Sequence, residues 1–186
     1  ADVLAGSKAK ASSGGLTSAS PGNGTSNHMA LELLAYQTGV KFTHVPYKGS
    51  GPAVQDVMGG QVDMMFDTTV VAAPHIQSGK LRALAVTSRQ RLDALKDVPT
   101  VAELGYPGFE ANTWFGIFAA ARVPPEVLDR LNAEVNKLLE TADVKAAIHA
   151  QGAEPLAMTP EQFSTLLKAE YAQWKGIVEA SGAKIE

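Results

Sequence analysis

The apolar positions change their spacing repeatedly along the first half of the chain. "LTSA" at residues 16–19 reads as a short strand. Met29, Ala30, Leu33 and Leu34 then recur at three- and four-residue intervals, on one face of a helix over about residues 26–38, with Gly39 as a left-handed stop. "VKFTHV" at 40–45 is β-branched and aromatic, which predicts a strand. Pro52 suits the first position of a short helix over 53–58, ended by Gly59 and Gly60. "VDMMF" at 62–66 predicts another strand, followed by "DTT" and a helix to about Ser78, with Gly79 as its stop. "LRALAVT" at 81–87 is apolar enough to predict a strand buried on both faces. Strand, loop and helix thus repeat three times before a last strand, the rhythm of an α/β fold with a parallel sheet between helices.

The pattern changes after Thr87. Residues 88–111 read as a long polar connection holding one short helix, with Thr100 and Glu103 as its capping box. "NTWFGIFAAA" at 112–121 predicts a long strand, suited to crossing between two lobes. Pro125 opens a helix whose Val127, Leu128, Leu131, Val135, Leu138 and Leu139 make one stripe. Thr159 caps the last helix with Gln162 three residues on. Phe163, Leu166, Leu167, Trp174, Ile177 and Val178 should face inward there, and Gly182 should end it.

Charge and composition remove several function classes. A net charge of -3 argues against broad binding to nucleic acid or to a bilayer surface. No run of eighteen apolar residues exists to span a membrane. The lack of cysteine excludes disulfides, thiolate metal sites and cysteine nucleophiles. The opening "ADVLAGSKAKASSGG" has no signal-peptide pattern, which a mature or truncated product would equally lack.

In a parallel α/β sheet the loops after the strands leave from one edge, where ligands bind. "SPGNGTSNH", "PYKGSGP" and "DTT" should therefore converge. Their glycines let backbone N–H groups turn inward, the helix starts add partial positive charge, and Thr25, Ser26, Ser50, Thr68 and Thr69 supply hydroxyls. Such a rim suits a carboxylate or phosphate. Each loop also has a plainer reading: Gly22 and Gly24 serve a tight turn, Thr25 or Ser26 caps a helix, and Asp67 anchors its own loop. Other chemistry lacks its pattern. Asn27 stands where a dinucleotide fingerprint needs its third glycine, and Leu81 follows Gly79-Lys80 where a P-loop needs Ser or Thr. His28, His44, His75 and His149 show no metal-ligand spacing, and nothing in the spacing favours a Ser20, His28 and Asp67 triad.

Together "SPGNGTSNHMALELL", "HVPYKGSGPAVQDVMGGQVDMMFD", "GKLRALAVTS" and "VPPEVLDRLNAEVNKLL" resemble the Bug/TctC family, the periplasmic substrate-binding proteins of tripartite tricarboxylate transporters. The resemblance runs in order over nearly the whole chain. It implies a type II-like periplasmic binding protein, α/β, with a parallel-rich mixed sheet flanked by helices. It also implies a small carboxylate ligand (a di- or tricarboxylate, an amino acid or an aromatic acid), a membrane permease as partner, and neither catalysis nor a cofactor. Carried onto this chain, the family's binding positions fall on Ser20, Gly22, Asn23, Gly24, Thr25 and His28, on Tyr47, Lys48 and Gly49, and on Asp67 and Thr68. By the same analogy, residues 1–110 form the second lobe. Residues 111–186 supply a crossover strand and C-terminal helices of a first lobe whose opening half, with its "PFAPGGxxD"-like loop, is not in this sequence.

That departure predicts exposed apolar stripes at Leu131, Val135 and Leu138, covered in a longer product or by a second copy. Two other classes stand beside the receptor. One is a truncated or non-binding module that oligomerises through its helices, and the other is a serine hydrolase using Ser20 or Ser50.

Overall fold

The computed structural model describes residues 2–181. Helix α1 (Asp2–Ala9) leads through a tight turn into strand β1 (Leu16–Ser20). Helix α2 (Ser26–Thr38), strand β2 (Phe42–Pro46), helix α3 (Ser50–Met58), strand β3 (Met64–Met65) and helix α4 (Thr69–Gln77) follow. The strands make one parallel sheet in the order β2-β1-β3, with Ser18 opposite His44 and Met64, and Ala19 opposite Val45 and Met65. Both pairings are parallel, and no antiparallel strand joins them among the described residues.

Side chains alternate across a strand, so the two faces of β1 have different company. Ala19 packs with Ala53 of α3 and Val62, flanked by Val45, Val57 and Met65. Ser18 and Ser20 point to the α2 side, and both are buried. Helix α2 is buried further around than a single stripe implies: Asn27, His28 and Leu31 are enclosed as well as Met29, Ala30, Leu33 and Leu34. Gly39, at φ 65°, closes it in the left-handed region. Beyond α2 lies a second apolar cluster, in which Ala30, Leu33 and Leu34 meet Val101, Phe109, Ala111 and Ile177.

Several expected elements differ. The helix after Gly49 starts at Ser50, before Pro52, and the "VDMMF" strand shortens to two residues. Residues 81–87 form no strand: Val86 makes a single bridge to Thr100, and Leu84 is exposed. Thr100 and Glu103 do exchange capping-box bonds (2.7 and 3.0 Å), but around a turn, and the short helix of this connection is a 3-10 turn at Asp93–Leu95. Residues 112–121 form no strand either. They carry no ladder partner among the described residues, and a strand exists only through its neighbour's hydrogen bonds.

By its own contacts the chain falls into two compact units. One is the chain up to Thr113 together with the stretch from Trp174 onward; the other is Trp114–Gln173. The second unit contains helices α5 (Pro125–Leu139) and α6 (Ala142–Ala150) and most of α7 (Pro160–Ser181). There Phe163 sits edge-on to Trp114 and tilted against Phe118, and Asn132 and Asn136 both donate to Met158 O at 2.9 Å. Thr159 and Gln162 close the expected capping box on α7. On α5, Leu131 and Leu138 are exposed, whereas Val135 is half-buried. On α7, Ile177 is buried but Val178 is exposed, because its position has rotated off the packed face. The stop expected at Gly182 lies outside the described residues.

Asp63 ties the start of β3 to β1 and to the turn after α1. Its carboxylate accepts from Lys10 Nζ (2.8 Å), Thr17 N (2.9 Å) and Thr17 Oγ1 (2.8 Å). The Lys10 hydrogen bond, with those from Thr17, lowers its pKa to about 2. A depressed carboxylate contributes stability above its unfolded pKa and loses it as pH falls through the folded value. Asp63→Asn should therefore cost about 1 kcal/mol at neutral pH, a modest figure because the group is near solvent. Urea midpoints of variant and parent should converge as pH falls from about 4 to about 2. A gap that persists at the acid end would contradict this role.

Candidate ligand-binding site

Because the strands are parallel, the loops after β1, β2 and β3 all leave from the same edge of the sheet. Hydrogen bonds lock them to one another. Tyr47 N donates to Ser20 O (3.0 Å) and Gly49 N to Pro21 O (2.9 Å), which joins the first loop to the second. Ser50 Oγ donates to Asp67 Oδ1 (3.0 Å), which joins the second to the third. Asn27 Nδ2 donates to Phe66 O (2.9 Å) and to Asp67 Oδ1 (3.1 Å), which joins the first to the third. Asp67 Oδ1 also accepts Thr68 N at 2.8 Å.

The rim so built is polar and, apart from Lys48, lacks a side-chain cation. Asn23, Gly24, Ser26 and Lys48 are exposed, and Gly22, Thr25, Gly49 and Thr68 are half-buried. Gly24 (φ 71°) and Gly49 (φ 104°) take backbone angles that a side chain disfavours, which is how both loops turn tightly enough to present N–H groups. The amides of Asn23 and Lys48 take no partner among the described residues. The first-turn amides of α2 and α3 also lie beyond any intrahelical ladder, apart from those that caps satisfy.

Other expected site residues work inside the loops. Thr25 is the N-cap of α2: its hydroxyl accepts from His28 N (3.3 Å) and donates to Gly22 O (2.8 Å). Tyr47 donates its phenol to Asp56 Oδ2 at 2.7 Å, and that bond to Asp56 raises the phenol's pKa. Ser20 is 1% exposed and His28 5% exposed, both beneath the loop. Ser20 Oγ donates to Gly22 O (3.0 Å), accepts from Gly22 N (3.1 Å), and lies 2.6 Å from His44 Nε2. A Ser20, His28 and Asp67 triad does not form, since Ser20 pairs with His44 and Asp67 with Asn27, Ser50 and Thr68. Enclosure also denies Ser20 the access a nucleophile needs.

Asp67 combines three donors on Oδ1 with a buried Oδ2 that has no hydrogen-bond partner among the described residues. Burial raises its pKa against the opposing effect of those donors. The sequence pointed to Asp67 but gave no sign of Asn27 beside it, nor of His44 beside Ser20. Asn27 registered only as a failed fingerprint position. His44 lies 24 residues from Ser20, and only strand register brings them together. An open groove of about 410 Å³, bordered by Gly14, Glu32, Lys41 and Thr43, lies at the opposite, amino edge of the sheet.

The sequence profile described as "Tripartite tricarboxylate transporter family receptor" matches residues 5–183. The chain belongs to this family. Among curated relatives of this chain is the UPF0065 protein in the tcbD-tcbE intergenic region of Pseudomonas sp. (strain P51), 43% identical over 171 residues. That match covers 91% of this chain and 51% of the relative. The chain thus spans about half the length of such relatives. Among solved structures, R. palustris Rpa4515 with adipate superposes at a TM-score of 0.82 with 33% identity, over 90% of this chain and 56% of that one. MatC from Rhodopseudomonas palustris with bound malate gives 0.74 and 35%, over 88% and 56%. The α/β architecture with its parallel sheet is the part of this chain that superposes on both structures.

Proposed function

We propose that this chain contributes one wall of the ligand site of a periplasmic solute receptor. The receptor captures a small organic carboxylate and delivers it, unchanged, to the membrane permease of a tripartite tricarboxylate transporter. The observation that carries this reading is the hydrogen-bonded convergence of three hydroxyl-bearing loops, two of them glycine-rich, at the carboxyl edge of a parallel sheet. Adipate on Rpa4515 and malate on MatC are both small dicarboxylates, which supports that ligand class. In this reading Asn23, Gly24, Lys48, Gly49 and Thr68 face the ligand, while Ser20, Gly22, Thr25, His28, Tyr47 and Asp67 hold the loops in shape. Ser20 is too enclosed to act as a hydrolase nucleophile, which favours binding over catalysis.

Amide NMR on this chain tests the site directly. Adding adipate or malate at millimolar concentration should shift the amides of residues 22–26, 48–51 and 68–70, and the corresponding diamides should not. Unmoved amides at those positions would end the proposal. Self-association is favoured by one further observation, the exposure of Leu128, Leu131 and Leu138 on α5. Light scattering that returns the mass of one chain at all concentrations would count against it.

A further inference from the structure

Two imidazoles meet beneath the glycine-rich loop. His28 of α2 is buried, and His44 of β2 is half-buried. Their rings lie parallel within 9°, with centroids 3.7 Å apart. Strand register explains the meeting: His44 stands opposite Ser18, on the face of the sheet that α2 covers.

Each ring grips a different end of the loop. His28 Nδ1 accepts Gly24 N at 3.1 Å. His44 Nε2 lies 2.6 Å from Ser20 Oγ, and that oxygen closes on both the amide and the carbonyl of Gly22. Gly24 N can only donate, so Nδ1 of His28 carries no proton while the bond holds. The ring proton then sits on Nε2, 3.3 Å from Glu32 Oε1. A proton added to Nδ1 would face the Gly24 N–H, replacing an attraction with a repulsion. Two charged rings at the stacking distance would also repel each other.

We propose that His28 and His44 are a positioning pair that holds the glycine-rich loop while the His28 ring is neutral, so that a proton added at His28 Nδ1 releases Gly24 and weakens the carboxylate site. The second part rests on the proposed function; the first does not. Burial, reinforced by His28, lowers the His44 pKa to about 4, which keeps that ring neutral near pH 7. The charged group facing the pair among the described residues is the Glu32 carboxylate on α2, while β1 offers the hydroxyls of Ser20 and of Ser18, which stands opposite His44.

The test uses the 186-residue chain without ligand. Imidazole nitrogen NMR at pH 7.5 should find His28 unprotonated at Nδ1. Protection of the Gly24 amide from exchange, corrected for intrinsic rate, should fall at least tenfold between pH 7.5 and 4.5. In His28→Asn with His44→Gln, amides replace both rings without titrating, and the fall should vanish. A protonated Nδ1 at pH 7.5, pH-independent protection in the parent, or an equal fall in the double variant would each overturn the proposal. If the double variant does not fold, the tautomer and the parent's protection profile decide alone. Adipate titrations at pH 7.5 and 5 should show at least a tenfold greater loss of affinity in the parent than in the double variant, which reports the ligand's own protonation. An equal loss in both would overturn the coupling. No adipate binding at either pH, with Gly24 still responding, would reject the receptor reading and leave the loop clamp standing.

Discussion

Gly15→Ala should destabilise the chain by on the order of 3–5 kcal/mol, enough to leave much of it unfolded at 37 °C. Gly15 lies between α1 and β1 at φ +85°, in the region where a side chain is strained. A Cβ there would drive into the Lys41 carbonyl and come within 2.5 Å of Ser7 Oγ. Neither can retreat cheaply. Ser7 is 1% exposed, and its hydroxyl donates to Lys41 O while accepting from Leu16 N at 2.9 Å. Those bonds fix the entry of β1 and β2 into the sheet, so displacing them disturbs the register from which the whole site is built. Gly39→Ala is the control, because Gly39 has φ +65° but nothing within 4 Å of a Cβ. It should cost only the left-handed penalty, about 1–2 kcal/mol. Urea unfolding of both variants separates strain from collision, and equal costs would show that the close approach at Gly15 contributes nothing.

Asp67→Ala should remove ligand-dependent shifts at all three loops and cost about 2–4 kcal/mol, the sum of three lost hydrogen bonds at a half-buried position. Its Oδ1 is the common acceptor for Asn27 Nδ2, Ser50 Oγ and Thr68 N, one donor from each loop region. Without it, Asn27 keeps Phe66 O, but Ser50 and Thr68 lose the partner that fixes them. Asp67→Asn keeps a carbonyl oxygen able to fill the Oδ1 position, so most of the stability and of the shifts should return. The Asn variant separates the two readings of this residue. A group that only anchors loops tolerates a neutral acceptor, whereas a carboxylate that itself meets the ligand does not. Full loss in both variants, measured by urea unfolding and by amide shifts with malate, would argue that the charge of Asp67 is what the site uses.

How far the chain can be read without coordinates differs by element. The helix over Ser26–Thr38 was legible to within about a residue, because its period, a cap at Thr25 or Ser26 and the Gly39 stop are all local signals. The capping box at Thr159 and Gln162 was legible for the same reason. The one at Thr100 and Glu103 was half-legible. Its bonds form, but the helix they would start does not, since Thr100 is drawn into a bridge with Val86. The apolar runs at 81–87 and 112–121 have strand composition and no strand ladder. Strand propensity records how a residue suits a paired, half-covered surface, and it cannot supply the neighbour.

The same division runs through the site. Glycine, proline and hydroxyl spacing, by themselves, determined that three loops follow three strands, and parallel topology then put them at one edge. Their order in the sequence was also enough to identify the family. What only the tertiary structure decided was which of those residues look outward. Ser20 and His28 were candidates for touching the ligand, yet both lie inside, and His44, which was no candidate, stacks against His28. Local pattern sets backbone conformation through neighbours a few residues away. Exposure and partnership depend on strand register and on the helix packed above, which join residues dozens of positions apart.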